Sequence, residues 1–488
     1  EGCTQEESGA EEGCTQEEEG GSEEEVAARF IETKRSALPA RGVSAVFRWD
    51  YTSRRSLVDS WMDTYVSTRG GATASLTEAL ARGLAPDGGL YVPTRTHPLE
   101  APPGGTASSF EHTALWAAPA LVPSVKQPML STVVSEALDF PVPLVEVGPN
   151  LHVLELFHGP THAFKDIGAR FMASLMAALL PRDRVRTVLV ATSGDTGGAV
   201  AAAFHDMPGY RVVVLYPRNG ISMRQRRQMT TLGGNVLALA VDGTFDDCQR
   251  LAKAAFLDAE MKAEFALTSA NSINVGRLLP QALYYVHAAV LLGWEETRPR
   301  FAVPCGNLGN LCAGLLAQRC GMPSSGFLAA TNVNSAFVDF LAKGTHEPRA
   351  SIPTSSNAMD VGDPSNLERI QWLYRDDAEQ LRRDVSASSV SDAVTARTIA
   401  DVYEQAGYIL DPHSAVAYHV ATREVADASE LEPTVVLATA HPAKFPEVVE
   451  AAVGHEIPLP PGLARAMQGE EHIIPVQPEL RAIVEVLS

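Results

Sequence analysis

The chain contains no apolar run near the roughly 20 residues that a bilayer-spanning helix needs, and its composition, 45% apolar and 20% charged, is that of an ordinary globular protein. A membrane protein is not expected. Basic residues are scarce, with 39 Lys and Arg against 59 Asp and Glu and a formal net charge of −20. Nucleic-acid affinity depends on basic patches that release counterions, so a nucleic-acid partner is not expected either. Much of the acidic excess is local, because residues 1–25 hold eleven Glu and no Lys or Arg. Steering of an anionic ligand then has to come from individual Arg residues and helix N-termini. Cysteine is sparse. Its six copies, at 3, 14, 248, 305, 312 and 320, form no Cys-x-x-Cys pair and have no His partner at zinc-finger spacing. This points away from a metal site and a disulfide framework and toward a reducing, cytoplasmic compartment. Secretory and transit signals are absent from the acidic start, although the sequence opens on Glu1 and not on Met; a lost targeting segment would make a plastid the alternative. Neither the P-loop pattern nor G-x-G-x-x-G occurs, which removes specific support for nucleotide binding.

What is present is organised. A length of 488 residues suggests two or three domains. Residues 1–45, with the near-duplicate EGCTQEE at 1–7 and 12–18, read as an acidic disordered tail, 46–145 as an N-terminal domain, and 146–488 as a region of two interleaved α/β domains. From about residue 185 a short β-branched run repeatedly leads into a Gly, Ser or Asn turn and then a stretch of helical period: VRTVLVA (185–191), YRVVVLY (210–216), NVLALAV (235–241), RFAVP (300–304), GFLAAT (326–331) and TVVLAT (434–439). Continuous apolar runs of this length predict buried parallel strands with helices on both faces. Ligands bind such sheets beyond the carboxyl ends of the strands, so the loops TSGDTGG, SANSINVGR, GNLGN and AHPAKF are where chemistry is expected.

Each loop has a bland reading beside a functional one. In FHGPTHAFKDIGARF (157–171), Lys165 taken alone is a solvated surface lysine; a helix N-terminus at that point would depress its pKa and suit a Schiff-base amine. ATSGDTGGAVAAAF (191–204) is a plain strand-to-helix turn or a ligand loop. VPCGNLGNLCAGLLAQ (303–318) has Gly306 and Gly309 around a turn whose amides could surround a phosphate. In SANSINVGRLLP (269–280), Asn271, Ser272 and Arg277 could grip a second phosphate, or Arg277 could be a surface residue beside a helix cap.

Taken together and in this order, these loops resemble the threonine synthase family in its longer bacterial and fungal form. The resemblance rests on HGPTHAFKD, ATSGDTGGAV, VVVLYPRNGIS, TTLGGNV, SANSINVGRLLPQ, GNLGN, SSNAMDVGDPSNLERI, DPHSAVAY and TAHPAKF, with YVSTRGG and GLAPDGGLYVP nearer the start, and it covers roughly residues 60–488. It implies a tryptophan-synthase-β-like fold of type II, pyridoxal 5'-phosphate as cofactor, and production of L-threonine and phosphate from O-phospho-L-homoserine and water, by a monomer or homodimer. Lys165 is then implied to carry the cofactor and to move protons between Cα and Cβ of the substrate. Gly306, Asn307, Leu308, Gly309 and Asn310 are implied to hold the cofactor phosphate, Asp195 to lie near the ring hydroxyl and Thr439 to face the pyridine nitrogen. Thr192, Ser193, Asn271, Ser272 and Arg277 are implied to grip the substrate phosphate.

The chain departs from the family pattern at His162, where an aliphatic or aromatic residue is usual, and at Leu308, where Phe is frequent. Two alternatives stay open. Another enzyme of the same cofactor class, such as a serine or threonine dehydratase, would share Lys165 and the glycine loop, but a substrate without phosphate would leave Arg277 unpaired at the pocket wall. A non-catalytic threonine-synthase-like binding protein would keep the fold, although every expected reacting residue is present.

Overall fold

A computed structural model describes residues 64–102, 109–424 and 432–488; the acidic tail, with Cys3 and Cys14, lies outside them. The described residues begin with a small antiparallel sheet of β1 (Tyr65–Ser67), β2 (Thr73–Ala74) and β3 (Tyr91–Pro93). It then lays down β4 (Leu144–Gly148) and β5 (Leu151–Glu155), followed by β6 (Arg186–Ala191), β7 (Tyr210–Pro217), β8 (Val236–Val241) and β9 (Thr268–Ser269). After these come β10 (Arg300–Pro304), β11 (Gly326–Thr331), β12 (Val385–Ser389), β13 (Thr434–Ala438) and β14 (Ile473–Val476). Two larger sheets result, ordered β14-β8-β7-β6-β9 and β12-β11-β10-β13-β5-β4. They are interleaved in sequence, since β5 precedes the first sheet's strands and β14 returns to it last. Position 146 falls inside β4, which pairs with β5 and so belongs to the six-stranded sheet.

All six apolar runs are strands, and they pair in parallel. The reason they do not alternate is visible in their burial: Val188, Leu189 and Val190, like Val212 through Leu215, have no solvent exposure. Alternate side chains enter different cores, Val188 and Val190 on one face and Leu189 on the other, where Leu251 and Ile483 from flanking helices meet it. Helices thus cover both faces, and a polar position in these strands would be stranded. The sheet arrangement brings the loops after β6, β9, β10 and β13 to one place.

Candidate active site

Lys165 is the first residue of the helix Lys165–Leu179, whose Ile167, Phe171, Met172, Leu175 and Met176 are buried. The turn before it is fixed from two sides. Asp166 Oδ2 and Oδ1 accept hydrogen bonds from Thr161 N (2.8 Å) and Thr161 Oγ1 (2.6 Å). The loop after β13 runs antiparallel alongside, with Phe164 N donating to Thr439 O (2.9 Å) and His441 N to His162 O (3.0 Å). The Lys165 side chain keeps 14% of its exposure. Desolvation lowers its pKa, Lys444 and Arg277 push the same way, and Asp195 opposes them. A larger neutral fraction of the amine is what a nucleophile or base requires.

Asp195 opens the helix Asp195–Phe204 directly beyond β6. The turn between them is held by Thr192, whose Oγ1 accepts from Gly194 N and Gly197 N, both at 2.9 Å, and donates to Gly194 O at 3.0 Å. The Thr192 hydroxyl is therefore engaged within the turn, while Ser193 faces the cleft. Asp195 Oδ2 lies 3.8 Å from Lys165 Nζ, and Oδ1 lies 2.7 Å from Lys444 Nζ and accepts from Gln225 Nε2 at 3.0 Å. Burial favours protonation of this carboxyl, but Lys444 and Lys165 outweigh it and hold the pKa well below the usual carboxylate range.

Beyond β10, the turn from Gly306 leads into the helix Gly309–Arg319, whose N-terminus has no side-chain cap. Leu308 enters it at φ 59°, a left-handed conformation that costs a non-glycine residue about 1 kcal/mol. Gly306 has no room for a side chain: a Cβ there would lie 2.8 Å from Met359 Cα and 2.9 Å from Ala358 O. Asn310 Oδ1 accepts from the hydroxyls of Tyr284 and Tyr285, which fixes the amide, while its buried Nδ2 has no partner among the described residues. Asn307 Nδ2 donates to Ser272 Oγ at 2.8 Å and so ties this turn to the loop after β9.

In that loop Asn271 Nδ2 donates to Ala191 O (3.0 Å) and Arg277 Nη1 to Ala270 O (2.7 Å). Arg277 is 3% exposed, and its Nε is buried without a partner among the described residues. Burial lowers its pKa to about 10, still far above neutrality. The thirteen residues singled out from the sequence, Thr439 among them, all line one cleft.

Sequence reasoning gave no role to several residues that organise this cleft. Arg369, fully buried, donates from Nε to Tyr91 O (3.1 Å), from Nη1 to Ser272 O (2.8 Å) and from Nη2 to Ile273 O (2.6 Å). His413 lines the cleft; its Nε2 accepts from Ala358 N (3.2 Å), which leaves the ring proton on Nδ1 to be donated to Asp411 (2.7 Å). The strings containing Lys444, Arg369 and His413 carried the resemblance, but nothing in the strings shows which members reach inward. Gln225 had a local signal, the Ser222-x-x-Gln225 capping box, and the structure gives its amide a second task on Asp195. His162 stands apart from the cleft lining. It has φ 57°, lies against Gly462, and burial followed by Lys444 and His441 depresses its pKa to about 4.

Comparison with known proteins fits this geometry. A family model for pyridoxal-phosphate dependent enzymes matches residues 140–440, and models for the threonine synthase N terminus and C-terminal part match 64–137 and 414–487. Threonine synthase of Pseudomonas aeruginosa is 35% identical over 460 residues, spanning 87% of this chain and 98% of that protein. The chain belongs to the threonine synthase family. Another member, from Serratia marcescens, is 46% identical over 342 residues, 70% of this chain and 78% of that one. The crystal structure of pyridoxal-phosphate-bound threonine synthase from Brucella melitensis superimposes with a TM-score of 0.81 at 38% identity, covering 87% and 98% of the two chains. That from Escherichia coli gives 0.79 at 38% identity, covering 87% and 99%. The fold is accordingly the type II arrangement of pyridoxal-phosphate enzymes, and pyridoxal phosphate is the cofactor. The residues present suit it: an uncapped helix N-terminus, an orphaned amide donor on Asn310 and a Gly306 cradle that a side chain would fill meet what a phosphate needs.

Proposed function

We propose that the chain converts O-phospho-L-homoserine and water to L-threonine and inorganic phosphate, with Lys165 holding the cofactor and Gly306 to Asn310 gripping its phosphate. Asp195 would face the ring hydroxyl and Thr439 the pyridine nitrogen. The observation that carries this reading is that one cleft offers two separate groups of anion donors. Asn310 Nδ2 with the helix N-terminus forms one and the Arg277 guanidinium with Asn271 and Ser272 the other, and Lys165 lines the same cleft. A cofactor with one phosphate and a substrate with another would fill both.

Pyridoxal phosphate, when bound, supplies an electron sink for negative charge developing beside the substrate's amino group. The protein's own residues supply the rest. Lys165 Nζ, its pKa lowered by burial, takes a proton from the substrate's carbon chain and returns one at the neighbouring carbon. Arg277, with Ser193, Asn271 and Ser272, binds the substrate phosphate, and Thr192 shapes the turn that presents Ser193. As the phosphate departs its negative charge grows, so these donors bind the transition state more tightly than the substrate. Arg277, 3% exposed, sits where little water competes for that charge. No helix among the described residues is long and apolar enough to cross a membrane. Cys248, Cys305, Cys312 and Cys320 are free and buried, which accords with a cytoplasmic setting, and the working unit is taken as a monomer or homodimer.

Purified protein loaded with cofactor is expected to release phosphate and threonine from O-phospho-L-homoserine and little ammonia from serine or threonine. Ammonia release in preference to phosphate would move the assignment to a dehydratase. Neither product at saturating cofactor would leave a binding protein.

A further inference from the structure

Lys444 has no solvent exposure, and the reaction outlined above gives it no task. Burying an ammonium costs several kcal/mol unless it is paired and hydrogen-bonded. Here both conditions are met: Nζ lies 2.7 Å from Asp195 Oδ1 and donates to Thr161 O at 2.9 Å. These partners come from different parts of the chain. Lys444 ends the short 3-10 turn Pro442–Lys444 after β13, Asp195 follows β6 in the other sheet, and Thr161 belongs to the turn that delivers Lys165. The side chain therefore joins the two sheets at the point where the reactive amine emerges.

We propose that Lys444 is a positioning residue that acts on Lys165 through Asp195, occupying one carboxylate oxygen so that the other faces Lys165 and completing a row of cation, anion and cation. An isolated Asp195–Lys165 pair would hold Lys165 as an ammonium, which can neither attack a carbonyl nor accept a proton. In the row, a protonated Lys165 leaves the trio with net positive charge, to which Arg277 adds and which Asp411 opposes, and release of that proton relieves it. Lys444 thus keeps Asp195 an anion while preventing it from trapping the amine. Gln225 Nε2, donating to the same Asp195 oxygen at 3.0 Å, fixes the carboxylate's orientation without adding charge.

The inference rests on Lys165 being the lysine that carries the cofactor, and the test separates the two. The full chain, with and without cofactor, is labelled with acetic anhydride from neutral to alkaline pH, and each lysine is read by peptide mass spectrometry. Protection of Lys165 by cofactor is expected; equal labelling in both states would overturn the cofactor assignment itself. In cofactor-free Lys444→Met the Lys165 midpoint is expected to rise by about one pH unit or more, and in Asp195→Asn to fall. The pH profile of kcat should move to the alkaline side in Lys444→Met. Protection of Lys165 with an unmoved midpoint in Lys444→Met would overturn the role of Lys444 alone. Should that variant not fold, the unaltered chain still decides: Lys444 is expected to stay unlabelled where Lys165 reacts, and labelling of both together would place it outside the buried row.

Discussion

Arg277 illustrates how one side chain can serve both structure and chemistry. Its Nη1 is spent on Ala270 O and its Nε is buried beside Gly168, so the guanidinium is anchored where it lines the cleft. Arg277→Ala is expected to raise KM for O-phospho-L-homoserine roughly 10- to 100-fold, the loss of a hydrogen bond between charged groups. Cofactor affinity, measured by fluorescence titration, should change far less; equal losses would mean that the two phosphate sites have been interchanged. At this scale residue type alone left Lys165 and Arg277 open between surface and site, the family resemblance gave them and Asp195 their expected roles, and the structure brings the three to one cleft. Lys444 was not legible as a buried charge, because its burial depends on Asp195, which lies about 250 positions away in the sequence.

The loops are held by cross-bracing between elements more than by their own hydrogen bonds. Arg369, on the helix Leu367–Tyr374, takes the main-chain oxygens of Tyr91 at the start of β3 and of Ser272 and Ile273 after β9. Arg369→Met would leave three main-chain oxygens, one buried and two part-buried, without their donor, and a loss of about 3 kcal/mol or more in unfolding free energy is expected from denaturant titration. A loss no greater than that from truncating an exposed arginine would show that the brace is dispensable. The apolar runs were legible as strands because burial on both faces leaves a plain compositional trace. Other strands left a weaker trace: β9 has two residues, β12 reads VSASS at an exposed sheet edge, and β14 contains Pro475. Their pairing partners, not their own sequences, make them strands.

Across the whole molecule, packing presses several titratable groups away from their ordinary behaviour. His162, His287 and His441 are each depressed from 6.5 to about 4, chiefly by burial. The unfolded chain takes up protons as pH falls through 6.5, whereas the folded protein refuses them until about 4, so these groups make stability fall with falling pH across that interval. Each full proton of difference contributes a slope of about 1.4 kcal/mol per pH unit. Asp360 works the other way. Burial raises it from 3.8 to about 6, so its contribution is present at low pH and lost as pH rises through that value. With His152 and His419 also lowered and Asp166 also raised by burial, five histidines stand against two carboxyls and leave a net loss of melting temperature on acidification from 6.5 toward 4. Scanning calorimetry should show it, and His287→Asn should flatten the slope. A melting temperature independent of pH over this range would contradict the assignment of buried neutral rings.

The sequence by itself determined the class of fold, the strands buried on both faces and the loops in which chemistry would lie, because hydrophobic period and turn composition are local properties that each segment carries wherever it is placed. Only the tertiary structure decided which polar side chains became buried partners. It set Lys444 against Asp195 and Arg369 against three distant carbonyls, and left Asn310 Nδ2 and Arg277 Nε without partners. Burial and pairing depend on the distances between segments, and those distances exist only once the two interleaved sheets have closed around the cleft.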